Sequence, residues 1–105
     1  MYLIYNKRGK LVNTYDYLPS GYQQLSSNVA YDGYYICVRV SDGEVETYNN
    51  GCIHYVGGQE FEYYYYDGYE PVGITHIYSN YGSVSFEYYD NEIAGIYAGG
   101  AYYSL

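Results

Sequence analysis

The chain has no tryptophan, two prolines, one methionine, two cysteines and only four basic residues among 105. Cys37 and Cys52 are too few for the disulfide scaffold of a small secreted domain, so reduced thiols and a cytoplasmic protein are the default expectation, with a cross-strand disulfide in a secreted product as the alternative. Four basic side chains cannot form the stripe that neutralises phosphates, so no direct nucleic-acid binding is expected. An acidic body is also repelled by the anionic membrane surface, and no apolar run approaches a membrane-spanning length. At the N-terminus, Lys7 and Arg8 follow the short apolar run Tyr2-Leu3-Ile4-Tyr5, the reverse of a secretory signal. Aliphatic residues are scarce too: five Leu, seven Ile and eight Val, with two Phe beside them. That supply lies only just above the level of about 20% at which highly charged chains lose order.

What the chain has instead is tyrosine, 22 of them, with twelve carboxylates and a net charge of −8. A tyrosine ring buries well while its hydroxyl stays wet, and it has few rotamers to freeze. Part of the tyrosine set must therefore complete the core, and the remainder faces outward. Lys7, Arg8 and Lys10 share one segment, and beyond them Arg39 alone opposes every carboxylate. Such a body attracts a basic cleft on another protein and speeds encounter with it. The plainer role of the acidity is to keep a tyrosine-rich chain soluble. The length fits one domain, residues 1–105, burying roughly two-thirds of its unfolded surface.

Hydrophobic periodicity is two almost throughout. Tyr2 to Tyr5 and Leu11 to Tyr15 flank Asn6-Lys7-Arg8-Gly9-Lys10, which reads as a hairpin. The stretch from Tyr15 to Asn28 is the least regular, with turn chemistry at Leu18-Pro19-Ser20-Gly21 and room for a helical turn at Gln23-Gln24-Leu25. In Tyr34 to Val40, Ile36, Val38 and Val40 share one face and Tyr35, Cys37 and Arg39 the other. Asp42-Gly43 is the strongest hairpin signal, leading into Glu44 to Tyr48. Further strands are expected over Cys52 to Val56, Glu60 to Tyr66 and Val72 to Tyr78, the last with Val72, Ile74, His76 and Tyr78 on one side. Ser83 to Tyr89, Glu92 to Tyr97 and Ala101 to Leu105 complete the set. The expectation is an all-β domain of eight or nine short, mainly antiparallel strands in a meander, sandwich or small barrel. Tyr-Asp-Gly-Tyr occurs at Tyr31 to Tyr34 and at Tyr66 to Tyr69, but the flanks do not align and coincidence accounts for it.

Motifs that carry chemistry are missing. A nucleophilic dyad would need Cys37 or Cys52 beside His54 or His76; the plainer role of these residues is packing within a sheet. The same four lack the close ligand pairs of a zinc site. Glu44 and Glu46, or Glu60 and Glu62, share strand faces, but glycoside hydrolysis needs an enclosed groove around its acids. No glycine-rich phosphate loop or hydrolase elbow is present. No enzyme, metal or cofactor is expected.

The remaining constellation is Glu60 to Glu70, whose exposed face would show Glu60, Glu62, Tyr64 and Tyr66, with Asp67, Tyr69 and Glu70 at the turn. A second such face comes from Glu87, Tyr89, Asp90 and Glu92. Tyrosine interleaved with carboxylate can meet Arg or Lys by charge-assisted hydrogen bonds, phenol hydrogen bonds and ring stacking. These groups dominate protein hot spots, although cross-strand aromatic pairs on a solvated sheet face would use them equally well.

In size, charge and lack of catalytic motifs the chain resembles the small acidic proteins with which phages counter host defences, the anti-CRISPR and DNA-mimic anti-restriction inhibitors. The resemblance rests on overall character and carries over no functional residue. It implies carboxylates (Glu60, Glu62, Glu70, Glu87, Asp90 and Glu92) standing in for phosphates on a basic, nucleic-acid-binding surface of a host protein, in the host cytoplasm. The alternatives are a carbohydrate-binding module, disfavoured by the absent tryptophan, and a tyrosine-rich module that self-assembles through open sheet edges. A homodimer is compatible with the inhibitor reading.

Overall fold

Alternation at period two becomes strand almost everywhere that the structure, a computed structural model, describes. It describes the backbone of residues 1–40, 45–47, 53–56, 59–66, 70–79 and 81–105, and the side chains of 1–40, 73–77 and 81–105. The strands are β1 (Tyr2–Tyr5), β2 (Leu11–Tyr15), β3 (Gln23–Ser26), β4 (Val29–Tyr31), β5 (Ile36–Arg39), β6 (Val45–Thr47), β7 (Ile53–Val56), β8 (Gln59–Tyr66), β9 (Glu70–Ser79), β10 (Gly82–Tyr89), β11 (Glu92–Ala98) and β12 (Ala101–Ser104). The protein is all-β, and among the described residues there is no helix.

Two antiparallel sheets form, one of five strands in the order β2-β1-β5-β4-β3 and one of seven in the order β12-β11-β10-β9-β8-β7-β6. Leu3, Tyr5, Val29, Ile36 and Val38 from the first sheet pack with Ile74, Ile77, Val84, Phe86, Ile93 and Ile96 from the second in one buried cluster. Face-to-face burial of this kind is a sandwich, and the seven-stranded layer is a meander. Tyr5 is fully buried and its ring lies 6.3 Å from that of Phe86, so tyrosine does complete the thin aliphatic core.

The described residues form twelve strands against the eight or nine expected, and β3 and β4, on either side of Asn28, are the two for which no span was expected. Gln23-Gln24-Leu25 is not a helical turn but part of β3, which pairs Gln23 with Tyr31 and Gln24 with Ala30. The short strand β4 carried no periodic signal of its own. The hairpin expected at Asp42-Gly43 is also overturned. That turn lies outside the described residues, but its flanking strands do not pair: β5 has β1 and β4 on its two sides, and β6 pairs with β7. Both edges of β5 are already taken, so the chain crosses to the other sheet.

Bulges correct the expected faces. Ile74 and Ile77 are both fully buried although three apart. Thr75 is the extra residue between the pairs Tyr63–Ile74 and Glu62–His76, and one inserted residue moves its successors in the strand to the other face. His76 therefore does not share the face of Ile74, as strict alternation had put it. In β11, Ala94 plays the same part between Ile93 and Gly95. The β10–β11 connection is Asp90-Asn91 with φ of 51° and 64°, the left-handed pair of a type I′ hairpin turn.

The tip of the first hairpin closes one end of the sandwich. Ile74 donates its N–H to the Gly9 carbonyl at 3.1 Å, and Ile93 donates to the Lys7 carbonyl at 2.6 Å. Backbone can approach this closely only because both facing residues, Gly9 and Gly73, are glycine. A Cβ on Gly73 would fall on the Arg8 carbonyl oxygen and 2.8 Å from the Gly9 Cα.

Candidate functional site

On the outer face of the seven-stranded sheet, β10, β11 and β12 bring Glu87, Tyr97 and Tyr102 together. In β10, Val84 and Phe86 are buried while Glu87 and Tyr89 are exposed. Tyr97 lies directly opposite Tyr102, with ring centroids 4.6 Å apart and planes tilted by 52°. The Tyr102 hydroxyl reaches across Gly95 to donate to Glu87 Oε1 at 3.1 Å. Its ring covers Gly95 so closely that any Cβ there would collide with it, an aromatic side chain lying over a sheet glycine. The Tyr102 phenol is held above its ordinary pKa, by desolvation first and then by the hydrogen bond and charge of Glu87. It remains a neutral donor that orients the carboxylate.

Each partner of this trio is on the surface, with Tyr97 48% and Tyr102 44% exposed. The pairing register extends the row: Tyr102, Tyr97, Ser85, His76 and Glu62 are successive cross-strand partners from β12 to β8. An anchored carboxylate beside two ring faces can accept a guanidinium or ammonium hydrogen bond and stack the cation at once.

The site residues expected from sequence divide between two strand pairs. Glu87, Tyr89, Asp90 and Glu92 are all exposed on β10, its turn and the start of β11, with Tyr89 opposite Glu92. Glu60, Glu62, Tyr64, Tyr66 and Glu70 occupy β8 and the start of β9, where Tyr64 pairs with Gly73 and Tyr66 with Glu70. The side chains of those five, and Asp67 and Tyr69 entirely, lie outside the described residues. Tyr97, Tyr102 and Gly95 were not singled out from sequence. Two tyrosines five apart carry no local signal, and only the turn at Gly99-Gly100 (φ 59° and 79°) makes them partners.

The positive charges are placed as well. Docking of the Lys7 carbonyl on Ile93 brings the basic hairpin tip to the end of β11 that starts with Glu92. The Arg39 guanidinium stacks 4.0 Å from the Tyr81 ring centroid, so the isolated cation of the acidic body is engaged internally.

Cys37 and His76 cannot form a dyad. Cys37 is 1% exposed in a small cluster with Ile4 and Ala30 on the outer face of the five-stranded sheet, whereas His76 belongs to the other sheet. Burial pushes the Cys37 thiol up to about 12, where it is a poor nucleophile. Cys52 lies outside the described residues, as does the side chain of His54. Among the described residues no three His, Cys, Asp or Glu side chains converge on a metal-sized site, and no helix is long and apolar enough to cross a membrane.

Compared with known proteins, the chain matches no family model, no curated protein and no solved structure. Any reading of its function therefore rests on its own residues.

Proposed function

We propose that the protein is a non-enzymatic inhibitor that binds another protein through the acidic, tyrosine-rich outer face of its seven-stranded sheet. That face occupies a basic, nucleic-acid-binding surface, such as that of a CRISPR or restriction effector. The observation that carries the reading is the Glu87–Tyr102–Tyr97 trio: a carboxylate oriented by a phenol on a rigid sheet, flanked by exposed rings. Loop-borne charges would have to be ordered on binding, whereas groups held on strands cost less entropy. Tyrosine and carboxylate are what a surface evolved to bind arginine and lysine requires. The body's charge of −8 adds long-range steering toward a basic cleft.

The test is affinity capture from a bacterial lysate at low salt and at roughly half-molar salt, where screening shortens to a few ångströms. The captured partner should be a nucleic-acid-handling protein that is released by high salt and displaced by duplex DNA. The triple variant Glu87→Gln, Tyr97→Ala, Tyr102→Ala should weaken its binding by at least about thirtyfold, the scale of a hot spot of about 2 kcal/mol. Capture that ignores salt, DNA and the triple variant alike overturns the proposal.

A further inference from the structure

The opposite outer face, on the five-stranded sheet, is built differently. The segment 16–22 folds back across it, and Leu18 and Tyr22 pack on Ile4, Ala30 and Cys37. Beside that segment lies a depression of about 360 Å3, lined among others by Ile4, Asn13, Tyr15, Pro19, Tyr22 and Tyr35. That volume falls at the lower end of small-molecule sites, roughly 300–1,000 Å3.

Local hydrogen bonds hold its walls. Asp32 Oδ1 accepts from the backbone N–H of Tyr34 at 2.8 Å and of Tyr35 at 2.6 Å, which fixes the turn that presents Tyr35. Asn13 Nδ2 donates to the Tyr15 hydroxyl at 3.0 Å, while Asn13 Oδ1 accepts from the Thr14 N–H at 2.8 Å. The Tyr15 ring is braced by that of Tyr17, with centroids 5.8 Å apart. Three phenols and one amide thus surround an aliphatic floor, and among the described residues no charged side chain lines the depression.

This chemistry selects its ligand. An anion finds no basic group in that lining and is repelled by the whole chain; a cation is drawn by the chain's net charge but finds no carboxylate in the lining to pair with once it leaves water. What fits is a neutral molecule with a C–H face to lie on the rings and edge groups that both donate and accept. We propose that this depression binds a neutral saccharide ring. A proline-rich peptide also favours aromatic grooves, but its prolines offer only carbonyl acceptors, whereas phenol and amide groups both donate and accept. The site is independent of the acidic face, on the far side of the sandwich from Glu87.

The experiment is a two-dimensional amide NMR titration of the full chain with cellotetraose, maltotetraose, mannotetraose and chitotetraose. Each is taken to about 10 mM, enough to populate a site of millimolar Kd. At least one should shift Ile4, Asn13 and Tyr35 and leave Glu87 and Tyr97 unmoved, with the same affinity at high salt. Tyr35 is 41% exposed, so Tyr35→Ala should keep the dispersed native spectrum and weaken binding about five- to tenfold, the worth of one stacked ring. Tyr35→Phe should retain most of it. The proposal is overturned if no saccharide moves these amides, if Tyr35→Ala binds equally well, or if decaproline moves them and the saccharides do not.

Discussion

Replacing Gly73 by alanine tests how the two sheets are joined. The new methyl would sit on the Arg8 carbonyl oxygen, 2.6 Å from the Tyr88 hydroxyl and 2.8 Å from the Gly9 Cα. Two of those neighbours are backbone, so the hairpin tip must retreat rather than a side chain swing aside. Retreat breaks the Ile74 N–H to Gly9 carbonyl bond and disturbs the 2.7 Å bond from the Tyr88 hydroxyl to the Ile74 carbonyl. Overpacking costs about 1–3 kcal/mol, and each weakened hydrogen bond about 1 kcal/mol. The smaller entropy of the unfolded alanine chain returns about 0.4–1 kcal/mol. A net loss of about 2–4 kcal/mol is expected, a large share of the roughly 5–15 kcal/mol that holds a domain together. With a urea slope of about 1–3 kcal/mol per molar, the unfolding midpoint should fall by at least about 0.7 M. An unchanged or raised midpoint would refute the claim that glycine is needed for this contact.

Local chemistry sets two further outcomes. At the β10–β11 turn, Asn91 has φ of 64°; Asn91→Val should cost about 1–2 kcal/mol in thermal unfolding, while Asn91→Gly should cost nothing, and equal stability of the two would contradict the turn assignment. Alkaline pH should also destabilise the fold. The Cys37 thiol is raised from 9.0 to about 12 by burial, opposed in part by the N-terminal ammonium. The Tyr22 phenol is raised from 10.0 to about 12 by burial and then by the charges of Asp32 and Cys37. Folded protein holds both protons more tightly than unfolded chain, so their contribution is complete below pH 9.0 and fades as pH rises toward 12. Urea midpoints measured on either side of pH 9.0 should show that decline, and Cys37→Ala should flatten its first part; a flat wild-type profile would contradict the assignment.

Strand identity was legible wherever alternation was long or the turn chemistry explicit. The spans Tyr2–Tyr5 and Leu11–Tyr15 around their basic turn, and the run from β10 to β12, appear where hydrophobic spacing and Gly, Asn and Asp place them. Faces were legible only up to the first bulge. Thr75 and Ala94 look like ordinary strand residues, yet each is an extra one that shifts its neighbours to the other face. Hairpin chemistry also misled at Asp42-Gly43, because a turn signal states that the chain reverses and not which strand it then meets. Of the acidic face, Glu87, Tyr89, Asp90 and Glu92 were visible as exposed positions on one strand pair. Tyr97 and Tyr102 were not, since their role depends on a register set by another turn.

What the sequence determined by itself is class and character: period two dictates strands, a thin aliphatic supply forces tyrosine into the core, and twelve carboxylates against four bases dictate an acidic surface. These are local or additive properties, summed residue by residue. Tertiary structure decided which acids meet which rings. It set Tyr102 over Gly95 to reach Glu87, folded segment 16–22 onto Cys37 and its neighbours, and placed the basic hairpin tip against Ile74 and Ile93. Such contacts join residues far apart in the chain, and they depend on bulges, register and sheet order, which arise only when competing pairings are resolved in three dimensions.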